Sequence, residues 1–210
     1  MSVWDQRYAS DEYQYGTVAN DFLRQQAARL APASRVLCLA EGEGRNGVFL
    51  ARQGHRVTGV DASRVGLAKA QALARCQGVD LVTVVADLAA YEPGVAVWDA
   101  VVSVFAHLPP PVRRVLRPRV AAAVVPGGLL LLEHYHPRQL EYRTGGPPEV
   151  AMLTTLAELA EDFASWEVLH AFEGEREIHE GILHDGLSFV TQFVARKPTA
   201  AGRPVNPGGA

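Results

Sequence analysis

The chain has 210 residues, of which 48% are apolar and 20% are charged, and its formal net charge is −3. This length supports one sizeable hydrophobic core and is short for two, and the slightly acidic balance gives no electrostatic footprint for a nucleic-acid backbone. The two cysteines are too few for a disulfide framework, so we expect a reducing, cytoplasmic setting.

The N-terminal region begins with an aromatic, polar segment that carries Trp4, Tyr8, Tyr13 and Tyr15. It has no basic stretch followed by an apolar core, so we predict no signal peptide. Residues 17–31 are predicted to form a helix. We interpret residues 1–31 together as a lid and helix, and we expect Tyr15 to contact a bound cofactor.

Apolar runs of β-branched character then alternate with helical patterns. The predicted strands are 35–40, 56–60, 81–86, 98–105 and 128–133, and the predicted helices are 44–53, 63–76 and 110–124. Strands separated by helices indicate right-handed crossovers and a parallel sheet. The sequence therefore predicts an α/β domain in three layers, with helices on both faces of the sheet.

The first strand leads into a glycine-rich turn that opens a helix, VLCLAEGEGRNG at residues 36–47. Gly42 and Gly44 lack the Cβ atoms that would keep a ligand away from the backbone, and the helix that follows presents free N–H groups. With Gly47 they also satisfy the G-x-G-x-x-G pattern of dinucleotide-binding folds. An NAD(P)-dependent oxidoreductase is therefore an alternative.

Two carboxylates, Glu41 and Glu43, flank Gly42 in this turn. They would repel a pyrophosphate dianion at the helix N-terminus. They can instead offset the charge of a cationic sulfonium and accept hydrogen bonds from an amino group. The loop favours S-adenosylmethionine (SAM) as the cofactor.

Acidic residues also end the second and third predicted strands. Asp61, followed by Ala62 and Ser63, can accept both hydroxyls of a ribose. Asp87, followed by Leu88, stands across the crevice within expected reach of an adenine amino group. Alternatively, each aspartate only caps the helix that follows it.

The fourth and fifth predicted strands end in residues that are expected to face the acceptor. The fourth ends near Ser103 and His107, and His107 is our candidate catalytic base or substrate contact. After the fifth strand, His134 and His136 alternate and can point the same way, but no further ligand cluster accompanies them. We predict no metal site.

The predicted elements change beyond residue 148. A helix over 149–161 precedes two strands, 166–180 and 187–196, and Asp185-Gly186 between them is a strong hairpin turn signal. The sheet is therefore expected to end in an antiparallel hairpin. Residues 198–210 have little that can be buried and are expected to form a disordered tail after a single domain of residues 1–197.

The order of these motifs resembles the class I SAM-dependent methyltransferases over residues 13–197. The first turn is similar to the VLDLGCGxGRN pattern of the tellurite-resistance and thiopurine-like branch, which Gly42, Gly44, Arg45 and Asn46 match. Cys38 stands where that branch often has Asp, and Ala40-Glu41 where it has Gly-Cys, so Glu41 is expected to take the acidic role.

The resemblance implies a Rossmann-like fold with a seven-stranded sheet in the order 3-2-1-4-5-7-6 and strand 7 antiparallel. It also implies that the glycine loop holds the methionine part of SAM and that Ser103 lies beside the sulfonium. We expect methyl transfer to a small molecule, with a thiol or an oxyanion of tellurium or selenium as the acceptor. A non-catalytic SAM-binding protein remains an alternative, and neither nucleic acid nor membrane is expected as a partner.

Overall fold

A computed structural model describes residues 3–199 of the chain. The strands are β1 (Arg35–Leu39), β2 (Arg56–Asp61), β3 (Val82–Val85), β4 (Trp98–Val104), β5 (Val124–Tyr135), β6 (Glu167–His179) and β7 (Asp185–Arg196). The α-helices are α1 (Val3–Arg7), α2 (Asp21–Gln26), α3 (Arg45–Arg52), α4 (Arg64–Cys76), α5 (Pro110–Ala123) and α6 (Leu156–Asp162). Short 3-10 turns occupy Ala27–Arg29, Pro137–Glu141 and Val150–Met152. None of the helices in this range combines the length and apolarity that a membrane span needs.

The strands form one sheet in the order β3-β2-β1-β4-β5-β7-β6. The pairs from β3 to β5 are parallel, and β7 is antiparallel to both β5 and β6. The predicted fold and strand order are confirmed. Because β1 and β4 lie side by side while the chain winds outward in opposite directions from them, their carboxyl ends flank the topological switch point.

Alternation along the central strands divides the core between the two faces of the sheet. In β1, Leu37 and Leu39 pack with the cluster that includes α5 and α6, whereas Val36 and Cys38 pack with the cluster that includes α2 and α3. Successive side chains of a strand point to opposite faces. Each face is therefore covered by helices, which gives the three layers expected from the sequence.

The predicted helix over 17–31 is shorter in the structure. Asn20 caps α2, because its side-chain oxygen accepts a hydrogen bond from Leu23 N, so the helix begins only at Asp21. After Gln26 the chain tightens into the 3-10 turn, and Leu30 is extended two residues before Pro32. The predicted helix over 149–161 is also split, because a capping box at Thr155 starts α6.

The C-terminal hairpin is confirmed, but its turn is not at Asp185-Gly186. These two residues pair with His179 and Ile178 inside the β6–β7 ladder, and residues 180–184 make the turn. A side-chain contact between Asp185 and His179 and a backbone bond from Asp185 N to Thr144 O hold them in the strand. Of the predicted tail, residues 200–210 lie outside the described residues.

Candidate functional site

The carboxyl ends of β1, β2 and β4, together with the segment that follows β3, surround a cavity of about 740 Å³ at the switch point. Ten of the residues proposed from the sequence line it: Tyr15, Glu41, Gly42, Arg45, Asn46, Asp61, Ala62, Asp87, Leu88 and His107. Gly44, Ser63 and Ser103 are not in its wall. A second cleft of about 650 Å³ lies away from these motifs, between α2 and α3.

The glycine turn after β1 is shaped by backbone that L residues rarely adopt. Ala40 and Gly44 have φ values of 51° and 94°. A Cβ at Gly44 would lie 2.6 Å from Ala70 Cα in α4, so only glycine lets the turn pass this close to the helix. Gly44 therefore acts as a packing contact that sets the position of the loop, and Gly42 is the glycine that faces the cavity.

The Glu41 side chain points beneath the loop. Its Oε1 accepts a hydrogen bond of 2.6 Å from Gly47 N, and its methylenes pack where a Cβ at Gly59 would clash. Burial raises the pKa of Glu41 to about 7, although the bond from Gly47 and the Cys38 thiol favour the charged form. Glu41 thus anchors the first turn of α3 beside Cys38.

Glu43, the second carboxylate of the loop, also has partners within the protein. Lys69 Nζ lies 2.5 Å from Glu43 Oε1, and Tyr15 N donates to Glu43 Oε2 at 3.3 Å. The negative charge of Glu43, which favoured SAM over a dinucleotide in the sequence, is therefore largely offset by Lys69. Asp61 is the carboxylate that is best placed to face a ligand.

Asp61 ends β2 with a fixed, nearly buried carboxylate. Its Oδ2 accepts a hydrogen bond from Gly42 N at 2.9 Å, and its Oδ1 accepts one from Ser63 N at 2.7 Å. Each oxygen keeps a second lone pair, so the group can still accept two hydroxyls. Burial raises the pKa of Asp61, and the backbone bonds work against that rise.

Asp87 lies at the cavity rim and is exposed to solvent. Its Oδ1 accepts a hydrogen bond of 2.9 Å from Ala89 N within a local turn, and no helix lies between β3 and β4, so Asp87 does not cap a helix as the alternative reading of the sequence expected. Its second oxygen is free of that bond and remains available at the rim.

Ser103 and His134 belong to a buried polar chain behind the cavity wall. The Ser103 hydroxyl lies 3.1 Å from His134 Nε2, and His134 Nδ1 lies 3.2 Å from the Thr154 hydroxyl. The orientation of Ser103 toward His134 explains why it does not reach the cavity. His136 contacts Glu173 instead, so the two histidines do not converge on one point.

His107 follows β4 and lines the cavity. Burial lowers its pKa from 6.5 to about 3, with nearby Arg113 lowering it further and the Met152 backbone opposing the shift. The imidazole is therefore neutral at physiological pH and is a weak proton acceptor. Phe105, which directly follows β4, has a φ of 52°. The backbone at the end of β4 is therefore strained, like the turn after β1.

The structure adds His184, from the β6–β7 turn, to the residues that line the cavity. Its ring centroid lies 4.6 Å from that of Phe105, and Tyr135, from the end of β5, packs at the same distance on Phe105 but is fully buried behind the cavity wall. His184 lay next to the expected turn at Asp185-Gly186. The only sequence signal was the histidine itself, because neither periodicity nor motif spacing shows that a turn folds back over the sheet.

The N-terminal segment covers the mouth of the cavity. Asp5 accepts a hydrogen bond from the Ser63 hydroxyl at 2.7 Å, and Tyr8 is buried against Gly42 and Gly66. The segment is also fastened to the β6–β7 turn by the backbone bond from Ile182 N to Gln14 O. Of the aromatic residues assigned to a lid, Trp4, Tyr8 and Tyr15 therefore form part of the cavity wall, whereas Tyr13 packs against α4.

Buried ion pairs join this cover to the sheet. Glu180, in the β6–β7 turn, lies 2.7 Å from Arg45 and 2.9 Å from Arg176, and Arg176 also contacts Glu133 of β5. Asn20 donates to both Glu133 and Glu180. The two arginines hold the pKa of Glu180 below its usual value despite its burial. The first residue of α3 is thus tied directly to the C-terminal hairpin.

Residues 36–128, which carry the glycine turn and the acidic strand ends, match the family model described as Methyltransferase domain. No curated protein sequence matches the chain.

Many solved structures share the fold, and three of them illustrate the likeness. TehB from Haemophilus influenzae has 20% identity and a TM-score of 0.70; the match covers 92% of this chain and 65% of TehB. A protein from the conversion of a disulfide bond into a thioacetal group during echinomycin biosynthesis has 19% identity, a TM-score of 0.74 and coverage of 95% and 92%. A SAM-dependent methyltransferase from Methanosarcina mazei has 18% identity, a TM-score of 0.67 and coverage of 87% and 99%. The chain thus spans about two thirds of TehB, and at these identities the likeness shows a shared fold.

Proposed function

We propose that this chain, which its methyltransferase domain and fold identify as a class I SAM-dependent methyltransferase, transfers the methyl group of SAM to a soft small-molecule acceptor, a thiol or a chalcogen oxyanion. The choice of acceptor is supported by the site of His107, the candidate base of the cavity, where burial lowers its pKa and makes it a weak proton acceptor. The acceptor proposal also draws on resemblance to the tellurite-resistance branch.

The cavity residues fit SAM. Two backbone N–H groups hold the Asp61 carboxylate in place. Each of its oxygens keeps a further lone pair, as bidentate binding of a ribose requires. Gly42 provides backbone without a side chain, and Arg45 and Asn46 open the helix beside it. We propose that these residues and Tyr15 hold the cofactor, with Asp87 and Leu88 at its adenine end.

When bound, SAM supplies the methyl group, to which a lone pair of the acceptor bonds as the carbon–sulfur bond of the sulfonium breaks and neutral S-adenosylhomocysteine leaves. The chain contributes position and exclusion of water. The N-terminal segment, the β6–β7 turn and residues 143–148 close over the same cavity. A nucleophile held in this cavity can react directly with the methyl group, without a covalent bond to the protein.

The proton of the acceptor decides which nucleophiles can react. A thiol has a reference pKa of about 8.5, so a useful fraction is ionised near neutrality, and its proton can leave to water before the transfer. His107, with a pKa of about 3, is poorly suited to take a proton from an alcohol. An acceptor whose nucleophilic atom is already unprotonated therefore suits this site.

The structural neighbour from echinomycin biosynthesis supports a sulfur acceptor, because its described chemistry takes place at a disulfide. The same fold therefore accommodates reactions at sulfur.

The test is transfer of label from methyl-labelled SAM to a panel of thiols, selenite and tellurite, followed by identification of the products. We expect labelled thioether or methylated chalcogen products, and the Asp61→Ala variant should yield less of them at the same SAM concentration. Labelling of only alcohols, carboxylates or amines would contradict the soft-acceptor proposal. SAM binding without product from any acceptor would instead favour the non-catalytic alternative.

A further inference from the structure

Residues 143–148 follow β5 and its 3-10 turn, and we call this segment the roof loop. All six of its residues line the cavity. In this topology the segments after β4 and β5 border one half of the crevice at the switch point, and the glycine turn and Asp61 border the other half. The roof loop therefore bounds the acceptor side of the cavity.

The roof loop is fixed to β7 by a buried amide. The Gln139 side chain donates hydrogen bonds to the Thr144 hydroxyl at 2.9 Å and to Gly145 O at 3.2 Å, and it accepts one from Phe189 N at 2.7 Å. The Thr144 hydroxyl also donates to Leu187 O at 2.8 Å. Phe189 and Leu187 belong to β7, so the backbone on the C-terminal side of residue 143 has a defined position.

Arg143, the first residue of the roof loop, has a strained backbone. Its φ is 58°, in the left-handed region that L residues other than Asn and Asp rarely adopt. Such a conformation persists only where the surrounding contacts determine it, and it is concentrated at functional sites. The contacts of Thr144 meet the first condition, and the position of Arg143 at the mouth of the cavity agrees with the second.

Arg143 is also the one arginine of the cavity wall whose charge is not already engaged within residues 3–199. Arg7 donates to the Tyr15 hydroxyl, and Arg45 is paired with Glu180. The Arg143 side chain is exposed and makes no hydrogen bond, ion pair or ring contact with the described part of the chain. Its five N–H donors are therefore available to a ligand.

The carboxylates of the cavity wall do not neutralise this charge. They are Glu41, Glu43, Asp61, Asp87 and Asp185. Lys69 offsets Glu43, and Glu41 is turned beneath the glycine turn. Asp185 contacts His179. Asp61 and Asp87 belong to the cofactor side, so the unpaired charge on the acceptor side is positive.

We infer that Arg143 is a specificity-determining residue that binds a carboxylate carried by the acceptor. This inference rests on the proposed function and narrows its acceptor to a thiol acid. A guanidinium matches a carboxylate with two parallel hydrogen bonds. Because Arg143 lies at the rim and the methyl group is transferred inside the cavity, the anion and the nucleophilic sulfur have to be separate groups of one molecule. A compact oxyanion such as selenite does not provide this separation.

The experiment compares 3-mercaptopropionate with 2-mercaptoethanol, a neutral thiol of similar size. Label transfer from methyl-labelled SAM gives kcat/KM for each thiol, and ligand-observed NMR titration gives their binding to protein loaded with S-adenosylhomocysteine. Because the two thiols also differ in acidity, the informative quantity is the preference for the anionic thiol in a variant relative to the parent.

The variants are Arg143→Gln, which removes the charge, and Arg143→Gly, which removes the charge and the backbone strain together. Arg138→Gln is the matched control. It removes the same charge five residues earlier in the chain, but Arg138 lies over the Phe189 ring at 4.4 Å and is not part of the cavity wall.

We expect Arg143→Gln to reduce the preference for 3-mercaptopropionate by about tenfold in both measurements, with SAM affinity unchanged, while Arg138→Gln leaves the preference intact. Added salt should narrow the preference of the parent and have little effect on that of Arg143→Gln, because the contact is exposed. Arg143→Gly should lose the preference without a lower melting temperature, since glycine accommodates a positive φ.

The inference would be overturned by an unchanged preference in both Arg143 variants, by an equal loss in Arg138→Gln, or by failure of 3-mercaptopropionate to bind the parent. A loss of SAM affinity in Arg143→Gln would also overturn it, because Arg143 would then contact the cofactor. Selenite binding that depends on Arg143, without such dependence for the thiol acid, would contradict the assignment to a carboxylate.

The same measurements separate this inference from the proposed function. Binding of 3-mercaptopropionate that depends on Arg143, without turnover of any thiol, would support the inference and contradict the proposed reaction. Turnover of both thiols with no dependence on Arg143 would support the proposed reaction and overturn the inference.

Discussion

Asp61 concentrates much of the expected cofactor affinity in one carboxylate. Its two oxygens are already oriented by Gly42 N and Ser63 N, so little ordering remains when a ribose binds. Replacing it with Asn turns one acceptor into a donor and leaves a hydroxyl unpaired. We expect Asp61→Asn to weaken SAM binding by about 1–3 kcal/mol in calorimetry.

The control for this substitution is Asp99→Asn. Asp99 is paired with Arg35 at the opposite end of the sheet, at 2.9 Å, so its loss removes a surface ion pair and leaves the cavity unchanged. Melting temperatures of both variants separate loss of binding from loss of folding. Unchanged SAM affinity in Asp61→Asn would remove this residue from the cofactor site.

His107 provides the second residue-scale prediction. With its low pKa it should contribute contacts and little proton transfer, so His107→Ala should raise KM for a thiol several-fold and change kcat by less than about tenfold. The measurement is kcat and KM between pH 6 and pH 9. A large fall in kcat with loss of the neutral-pH limb would indicate a general base and a protonated acceptor.

The burial of Glu41 is expected to make the free energy of unfolding depend on pH. Its folded pKa of about 7 lies above the ordinary 4.5, so the folded state binds the extra proton, and stability is highest below pH 4.5 and falls as pH rises through 7. This difference corresponds to about 3 kcal/mol. Gln can still accept the bond from Gly47 N, so Glu41→Gln should be more stable than the parent at pH 8 and similar at pH 4.5 in denaturant unfolding. Equal stability at pH 8 would contradict this.

These residues show what a motif can and cannot predict. The position of Asp61 at a strand end required only the parallel topology, which the alternation of predicted strands and helices indicates directly. The direction of Glu41 depended on Gly47 and Gly59, because both lack side chains on the inner side of the loop. Side-chain direction inside a strained turn follows from three-dimensional packing, which the spacing of a motif does not contain.

At the scale of elements, the contact between Gly16 and Gly181 joins the N-terminal segment to the β6–β7 turn. A Cβ at Gly181 would lie 2.4 Å from Gly16 N, and Gly181 has a φ of 83°. Gly181→Ala should therefore separate the two segments. We expect faster proteolytic cleavage before residue 20 and weaker SAM binding.

Gly78→Ala is the matched control for Gly181→Ala. Gly78 also has positive φ, 68°, but a Cβ there would contact nothing within 4 Å. It carries a similar cost in backbone strain without a steric clash. Equal cleavage rates for both variants would show that backbone strain alone accounts for the effect. The N-terminal segment would then not depend on its contact with the β6–β7 turn.

The elements also differ in how well the sequence predicted them. Helices α3, α4 and α5 begin within one residue of the predicted positions, because a glycine turn, Ser63 and Pro109-Pro110 mark their starts. The hairpin turn was misplaced because Asp185-Gly186 is a turn signal that tertiary contacts with Thr144 and His179 override. Local turn chemistry predicts correctly only where no longer-range partner competes.

For the whole molecule, buried histidines should limit stability in acid. Burial lowers the pKa values of His107, His134 and His184 below 6.5. The unfolded chain therefore binds protons first, so their contribution is complete above pH 6.5 and is lost as pH falls toward 3. Glu41 and Asp61 oppose this trend, because their raised pKa values favour the folded state in acid.

We expect the unfolding free energy to decrease between pH 6.5 and pH 4, and His107→Leu to flatten that decrease by a few kcal/mol. His179→Gln is the control, because His179 is exposed and its pKa is raised by Asp185. Guanidinium titrations at several pH values measure the effect. An identical pH slope in parent and His107→Leu would show that the buried imidazole does not control acid stability.

The insertion of β7 between β5 and β6 also has a consequence for how the chain is synthesised. A ribosome delivers β1 to β5 long before Arg196, the last residue of β7, emerges. Until then β5 is an open edge whose N–H and C=O groups can pair with any extended strand nearby. The β6–β7 hairpin, closed by a turn of five residues, can form locally and then dock as a unit. Premature release of nascent chains that end between Tyr135 and Arg196 should therefore yield aggregation-prone fragments.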